Sequence, residues 1–152
     1  MPCSAKRMAP RLLTAAVIGL ACFGPLDTRA AEMAAGTEVN PIQQAVQRGA
    51  DIFAHDQFGG VRTCETCHFN GGRAAGKLPN GEAVPSLIGA AAAFPRFAPR
   101  LQSMITLSQQ LDRCIAGGLE GKPPAFGSAK LVDLETYITS LSKGVVMGQQ
   151  FK

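Results

Sequence analysis

The chain has 152 residues, the length of one domain, and its 17% charged and 46% apolar residues exclude wholesale disorder. Its 15 Lys and Arg against 11 Asp and Glu give a formal net charge of +4, a balance that raises nucleic acid or an anionic membrane as a partner. One Tyr, eight Phe and no Trp supply little stacking surface for single strands, and no apolar run reaches the roughly 20 residues of a spanning helix.

In chain order, Lys6, Arg7 and Arg11 precede an apolar run of 13 residues from Leu12 to Gly24, the length of a signal-peptide core. Thr28-Arg29-Ala30 offers small residues for cleavage after Ala30, so residues 1–30 are predicted to be a cleaved export signal and the protein to be periplasmic. Cys22 raises a lipoprotein alternative, but Gly19 stands where that motif takes a large aliphatic residue. Removal of the signal takes four of the 15 cations and one of the 11 acids with it, leaving a net charge of +1 and no electrostatic case for nucleic acid. Cys64, Cys67 and Cys114 then remain for an oxidising compartment. Their odd number leaves at least one outside any internal disulfide.

Residues 31–39 read as a flexible lead-in and residues 40–152 as the domain. Asn40-Pro41 starts a helix whose stripe is Ile42, Ala45, Val46, Gly49, Ile52 and Phe53, and Gly59-Gly60 ends that segment. After Cys64–His68, a stretch rich in Gly and Pro runs from Phe69 to about Ile105. A loop of that length argues for disorder or for a bound group that it wraps. Thr106 and Gln109 form a capping box for a second helix that sets Leu107, Leu111, Cys114 and Ile115 on one face, with Gly117 as its left-handed end. Ser128 caps a last helix with Leu131, Leu134, Tyr137, Ile138 and Leu141 inward, closed by Lys143 and Gly144. No segment alternates with period two and nothing repeats, so the predicted fold is all-α: three to four short helices with long loops.

Cys64-Glu65-Thr66-Cys67-His68 is the pattern for covalent haem attachment. Two thiols three positions apart reach the two vinyl groups on one porphyrin edge, and the following His turns under the ring toward the iron. A zinc site would have only His55 and Cys114 to complete it, and a thioredoxin-like dithiol would need a βαβ context absent here. One covalent haem c is the expected cofactor, in a single cytochrome c domain.

The chain resembles class I c-type cytochromes beyond this motif. Gly49 and Phe53 on the first helix and Tyr137 on the last match that family's close helix crossing, and Pro85-Ser86-Leu87 resembles the segment whose Pro carbonyl accepts the ligand imidazole N–H. Most relatives in that class take a sixth iron ligand, a Met, from the loop before the last helix. Here that loop, Gly117 to Gly127, holds neither Met nor His, which leaves Cys114, Met104, Met147, His55 or an open site.

A second resemblance bears on that choice. Phe94-Pro95-Arg96-Phe97, Ile105-Thr106-Leu107, Arg113-Cys114, Gly121-Lys122-Pro123, Leu134-Glu135-Thr136-Tyr137 and Leu141-Ser142-Lys143-Gly144 are similar to thiosulfate dehydrogenases and to the A subunit of the Sox sulfur-oxidising cytochrome. In that family this Cys ligates haem as a thiolate, so the resemblance implies His68 and Cys114 as iron ligands. Such a ligand favours ferric iron and a low potential. Arg73, Lys77, Arg96 and Arg100 are candidates to pair with haem propionates or an anionic substrate such as thiosulfate; otherwise they form a solvated loop face. The expected function is one-electron transfer, as the haem subunit or partner of another cytochrome or of a sulfur-oxidising enzyme subunit. Those enzymes generally carry a further haem domain or haem-bearing partner, and one motif here favours a carrier. A thiosulfate dehydrogenase-like enzyme and a haem-based sensor are the alternatives.

Overall fold

Asn40 caps the first helix, α1 (Pro41–His55), by accepting the Ile42 N–H at 2.9 Å, and Pro41 fills a position that needs no donor. The structure, a computed structural model, describes residues 40–147. The predicted signal, the lead-in, Cys3 and Cys22 lie outside the described residues. Gly49 and Phe53 are buried on α1, with Val46, Ala50 and Ile52 half-buried beside them. Ile42, predicted on the same stripe, is exposed in the first turn. The helix stops at Asp56, short of Gly59-Gly60, because the Asp56 carboxylate accepts the Phe58 N–H at 2.7 Å and turns the chain there.

The long stretch that follows is ordered. It begins with a 3₁₀ turn at Cys64–Thr66 and contains a second at Ala90–Ala93. It also holds two short antiparallel ladders: β1 (Gly76–Lys77) with β2 (Ala83–Val84), and β3 (Arg96–Ala98) with β4 (Ser103–Ile105). The all-α expectation is corrected to a mostly helical fold with loops. Strands of two and three residues are too short to print an alternating pattern.

The second helix, α2 (Leu107–Arg113), has the predicted capping box: Gln109 N–H donates to Thr106 Oγ1 at 3.3 Å, and Thr106 N–H to Gln109 Oε1 at 2.8 Å. It does not end in a left-handed Gly117. The backbone widens into a π-helical turn, Cys114–Gly118, and Glu120 supplies the positive φ of 57° instead. The last helix, α3 (Ala129–Ser140), is capped by Ser128, and its predicted inward face is buried throughout. Among the described residues no helix is long and apolar enough to cross a membrane.

Helices α1 and α3 cross at Gly49. A Cβ there would overlap the Asp133 carbonyl oxygen and lie 2.6 Å from Tyr137 Cβ. Phe53, Ile115, Leu131 and Leu134 are the largest fully buried side chains of the core this crossing closes. A bidentate pair fixes its outer edge, with Arg48 Nε and Nη2 donating to Asp133 at 2.7 and 2.8 Å. The Arg48 hydrogen bond holds the Asp133 carboxyl below its ordinary value of 3.8.

Gly49→Ala is expected to destabilise the protein by about 2 kcal/mol net, because overpacking exceeds the ~1 kcal/mol gain in helix propensity. A denaturant midpoint equal to wild type contradicts the close crossing. The depressed Asp133 pKa adds stability that is present above the unfolded value and is lost as pH falls through the folded one. The stability difference between wild type and Asp133→Asn is therefore expected at neutral pH and should vanish in acid below the carboxylate range. A difference that persists unchanged in acid contradicts the charge-assisted pair.

Candidate functional site

A cavity of about 1070 Å³ lies between the Cys64–His68 segment on one side and α2 with its π turn on the other. Its walls include Phe53, Leu87, Phe94, Leu107, Leu119 and Ile138, an apolar lining drawn from the core and from the long loop.

The Cys64–Thr66 turn presents the motif. Thr63 and Thr66 cap it reciprocally, and Cys67 N–H and His68 N–H both donate to the Cys64 carbonyl, at 3.2 and 3.0 Å. This tight turn brings Cys64, Cys67 and His68 to the same cavity. Two glycines let the following loop fold back against it. A Cβ at Gly76 would overlap the Cys67 carbonyl oxygen, and Gly71 adopts φ +59° while its N–H donates to the Glu65 carboxylate. The Leu87 N–H donates to the Gly72 carbonyl at 2.6 Å, which ties the Pro85–Leu87 segment to the motif.

His68 rests on the core through Phe53, with ring centroids 6.4 Å apart, and Phe53 rests in turn on Tyr137 at 5.4 Å. Burial pushes the His68 pKa below its usual value, against the opposing influence of the Pro85 backbone carbonyl and of Glu65. The His68 Nδ1 is buried without a closed hydrogen bond, although the Pro85 carbonyl approaches the ring. Burial also pushes the Cys64 thiol up to about 12, and nearby Cys114 adds to the rise. No disulfide joins any two of the three described cysteines.

Of the residues considered for a sixth iron position, Cys114 lines the cavity, whereas Met104, Met147 and His55 are exposed and absent from its wall. Cys114 is not packed in the core as a helical face would suggest. It is exposed where α2 widens into the π turn, and its Sγ accepts from Gln110 Nε2 at 3.3 Å. Insertions of this π type recur at functional sites.

The candidate cations separate. Arg96 and Arg100 line the cavity, joined by Arg113, which sequence reasoning passed over except as part of a motif. Arg73 does not. It donates to the Tyr137 hydroxyl at 3.1 Å and lies 5.9 Å from that ring's centre. Lys77 is exposed in β1, away from the wall. Gln110 and Phe94 were missed as site residues. The signal for Gln110 was its place one helical turn before Cys114.

The donor set fits an iron porphyrin. Two thiols share one tight turn, an imidazole lines the same space, and the remaining wall is largely apolar, with three arginines among its residues, and large enough for a planar macrocycle.

Comparison with known proteins agrees with this fit. The cytochrome c domain of SoxA/TsdA matches residues 48–147. The thiosulfate dehydrogenase of Thiomonas intermedia (strain K12) is 32% identical over 111 residues, covering 69% of this chain and 33% of that protein. The L-cysteine S-thiosulfotransferase subunit SoxA of Pseudaminobacter salicylatoxidans is 27% identical over 122 residues, covering 80% of this chain and 38% of that one. The chain thus spans about a third of the length of the curated relatives it matches. Two solved structures share the fold. Thiosulfate dehydrogenase (TsdBA) from Marichromatium purpuratum has a TM-score of 0.59 at 24% identity over 72% of this chain and 25% of that one. SoxXA from P. pantotrophus has a TM-score of 0.54 at 21% identity over 70% and 35%. With more than half of its length matched, the chain belongs to the SoxA/TsdA cytochrome c domain family, a family of haem c domains.

Proposed function

We propose that the protein is an exported one-electron carrier in sulfur-compound oxidation, holding a single covalent haem c. One observation carries this reading: the two motif thiols, the His68 imidazole and the Cys114 thiol line one largely apolar cavity, and the other candidate ligands lie outside it. In this reading Cys64 and Cys67 form the thioether links. His68 offers one ring nitrogen to the iron, and the Pro85 carbonyl orients its ring through the other. Cys114 approaches from the α2 wall as a thiolate. Residues 1–30 serve as the cleaved signal that delivers the chain to the periplasm, residues 31–39 form the lead-in, and residues 40–152 form the domain.

Bound haem supplies an iron that gains and loses one electron. The chain supplies the surroundings that set how readily it does so. The largely apolar wall would keep water from the ring, and a Cys114 thiolate together with the His68 imidazole would favour the ferric state and a low potential. Arg100 and Arg113 at the cavity offer cations to the two haem propionates or to an anion, while Arg96 beside them donates to Gln110. The partner is another cytochrome or a sulfur-oxidising enzyme subunit; the relatives named TsdBA and SoxXA support this.

A second reading is an enzyme acting on thiosulfate at the Cys114 side of the haem. The similarity to thiosulfate dehydrogenases and to an L-cysteine S-thiosulfotransferase subunit favours it.

Haem is expected to remain with the polypeptide through acid–acetone extraction, at one iron per chain, and Cys64→Ser with Cys67→Ser should release it. Extractable haem in the wild type contradicts covalent attachment. Cys114→Met should raise the reduction potential and change the visible spectrum, and an unchanged potential and spectrum would remove Cys114 from the iron. Turnover of thiosulfate with an artificial acceptor separates the enzyme from the carrier.

A further inference from the structure

We propose that Gln110 is a positioning residue, oriented by Arg96 so that its amide N–H donates to the Cys114 sulfur and raises the reduction potential above that of an unsupported thiolate. This rests on the reading that Cys114 ligates the iron.

The geometry begins on one face of α2. Gln110 lies one turn before Cys114, and its Nε2 is 3.3 Å from Sγ, within reach for the large sulfur atom. A carboxamide alone is ambiguous, because its oxygen and its NH₂ group have nearly the same shape. Arg96 removes the ambiguity. Its Nη2 donates to Gln110 Oε1 at 3.0 Å, and a guanidinium has no acceptor, so only the oxygen can face it. The NH₂ group is then turned toward the sulfur. Arg96 is itself held, with its guanidinium 4.8 Å from the centre of the Phe94 ring and its backbone paired opposite buried Ile105 across the β3–β4 ladder. Arg96, Gln110 and Cys114 all line the cavity. The chain of donors therefore runs from the hairpin, through the helix, to the sulfur.

A hydrogen bond to a thiolate draws electron density from the sulfur and weakens its donation to iron. It stabilises the ferrous state, in which that donation is least welcome, and so raises the potential. Without Arg96 the amide is free to turn its oxygen toward the sulfur, lone pair against lone pair, and the donor is lost.

The test is potentiometry on the haem-loaded protein, with the ferric electron paramagnetic resonance spectrum as a second readout. Gln110→Leu should shift the potential downward and change the g-spread; Gln110→Ala should do the same, which guards against a packing effect of Leu. Arg96→Leu should give a smaller downward shift, and the double variant should fall no lower than Gln110→Leu alone. In a Cys114→Ala background, Gln110→Leu should leave the potential unmoved. An unchanged potential in both Gln110 variants overturns the proposal. So does an Arg96→Leu shift of equal size with and without Gln110, which would mean that Arg96 acts on the haem directly. If Cys114→Ala leaves spectrum and potential untouched, the ligand assignment fails and the relay with it, an outcome distinct from failure of Gln110 alone.

Discussion

The arrangement depends on the backbone contact between α1 and α3 at Gly49. With no side chain there, α3 approaches until its Asp133 carbonyl and Tyr137 Cβ occupy the space a Cβ would need. This closeness stacks Phe53 against Tyr137, and Phe53 is also the floor on which His68 rests. A wider crossing would open the core and at the same time remove the support beneath the imidazole. The outer edge of the crossing is held by Arg48 on Asp133. That pair is half in solvent and adds modestly, whereas the buried apolar side chains carry most of the stabilisation.

The cavity has two walls of different construction. One is the Cys64–His68 turn, stiffened by reciprocal threonine caps and by glycines that let the next loop lie on its backbone. The other is α2 and its π turn, which carries Cys114 out of the packed face and toward the cavity. The long loop joins the walls and is tied down near its middle, where Gly89 N–H donates to the Leu141 carbonyl and Ala91 N–H to Ser142 Oγ. A loop of this length stays ordered because each of its turns has a backbone partner.

The helices were legible in the sequence, since their signals are local. Asn40-Pro41, the Thr106/Gln109 box and Ser128 each write a helix start within four residues, and the buried face of α3 follows from its period. The haem motif was legible for the same reason. What stayed hidden depends on tertiary placement. The β ladders are too short to alternate. The π turn hides behind a glycine pair that reads as a helix stop. The divergence of Arg73 from Arg96 has no local signature: one guanidinium reaches Tyr137, 64 positions away, and the other reaches Gln110. Gln110 is set apart from other helix positions only by Arg96, which tertiary structure places beside it.

The proposed function rests on one iron that both His68 and Cys114 would ligate. Low-temperature electron paramagnetic resonance of the oxidised wild-type protein tests it most directly. A low-spin ferric signal with the narrow g-spread of imidazole–thiolate ligation is expected. A high-spin signal, or the wide spread of imidazole–thioether ligation, would contradict it.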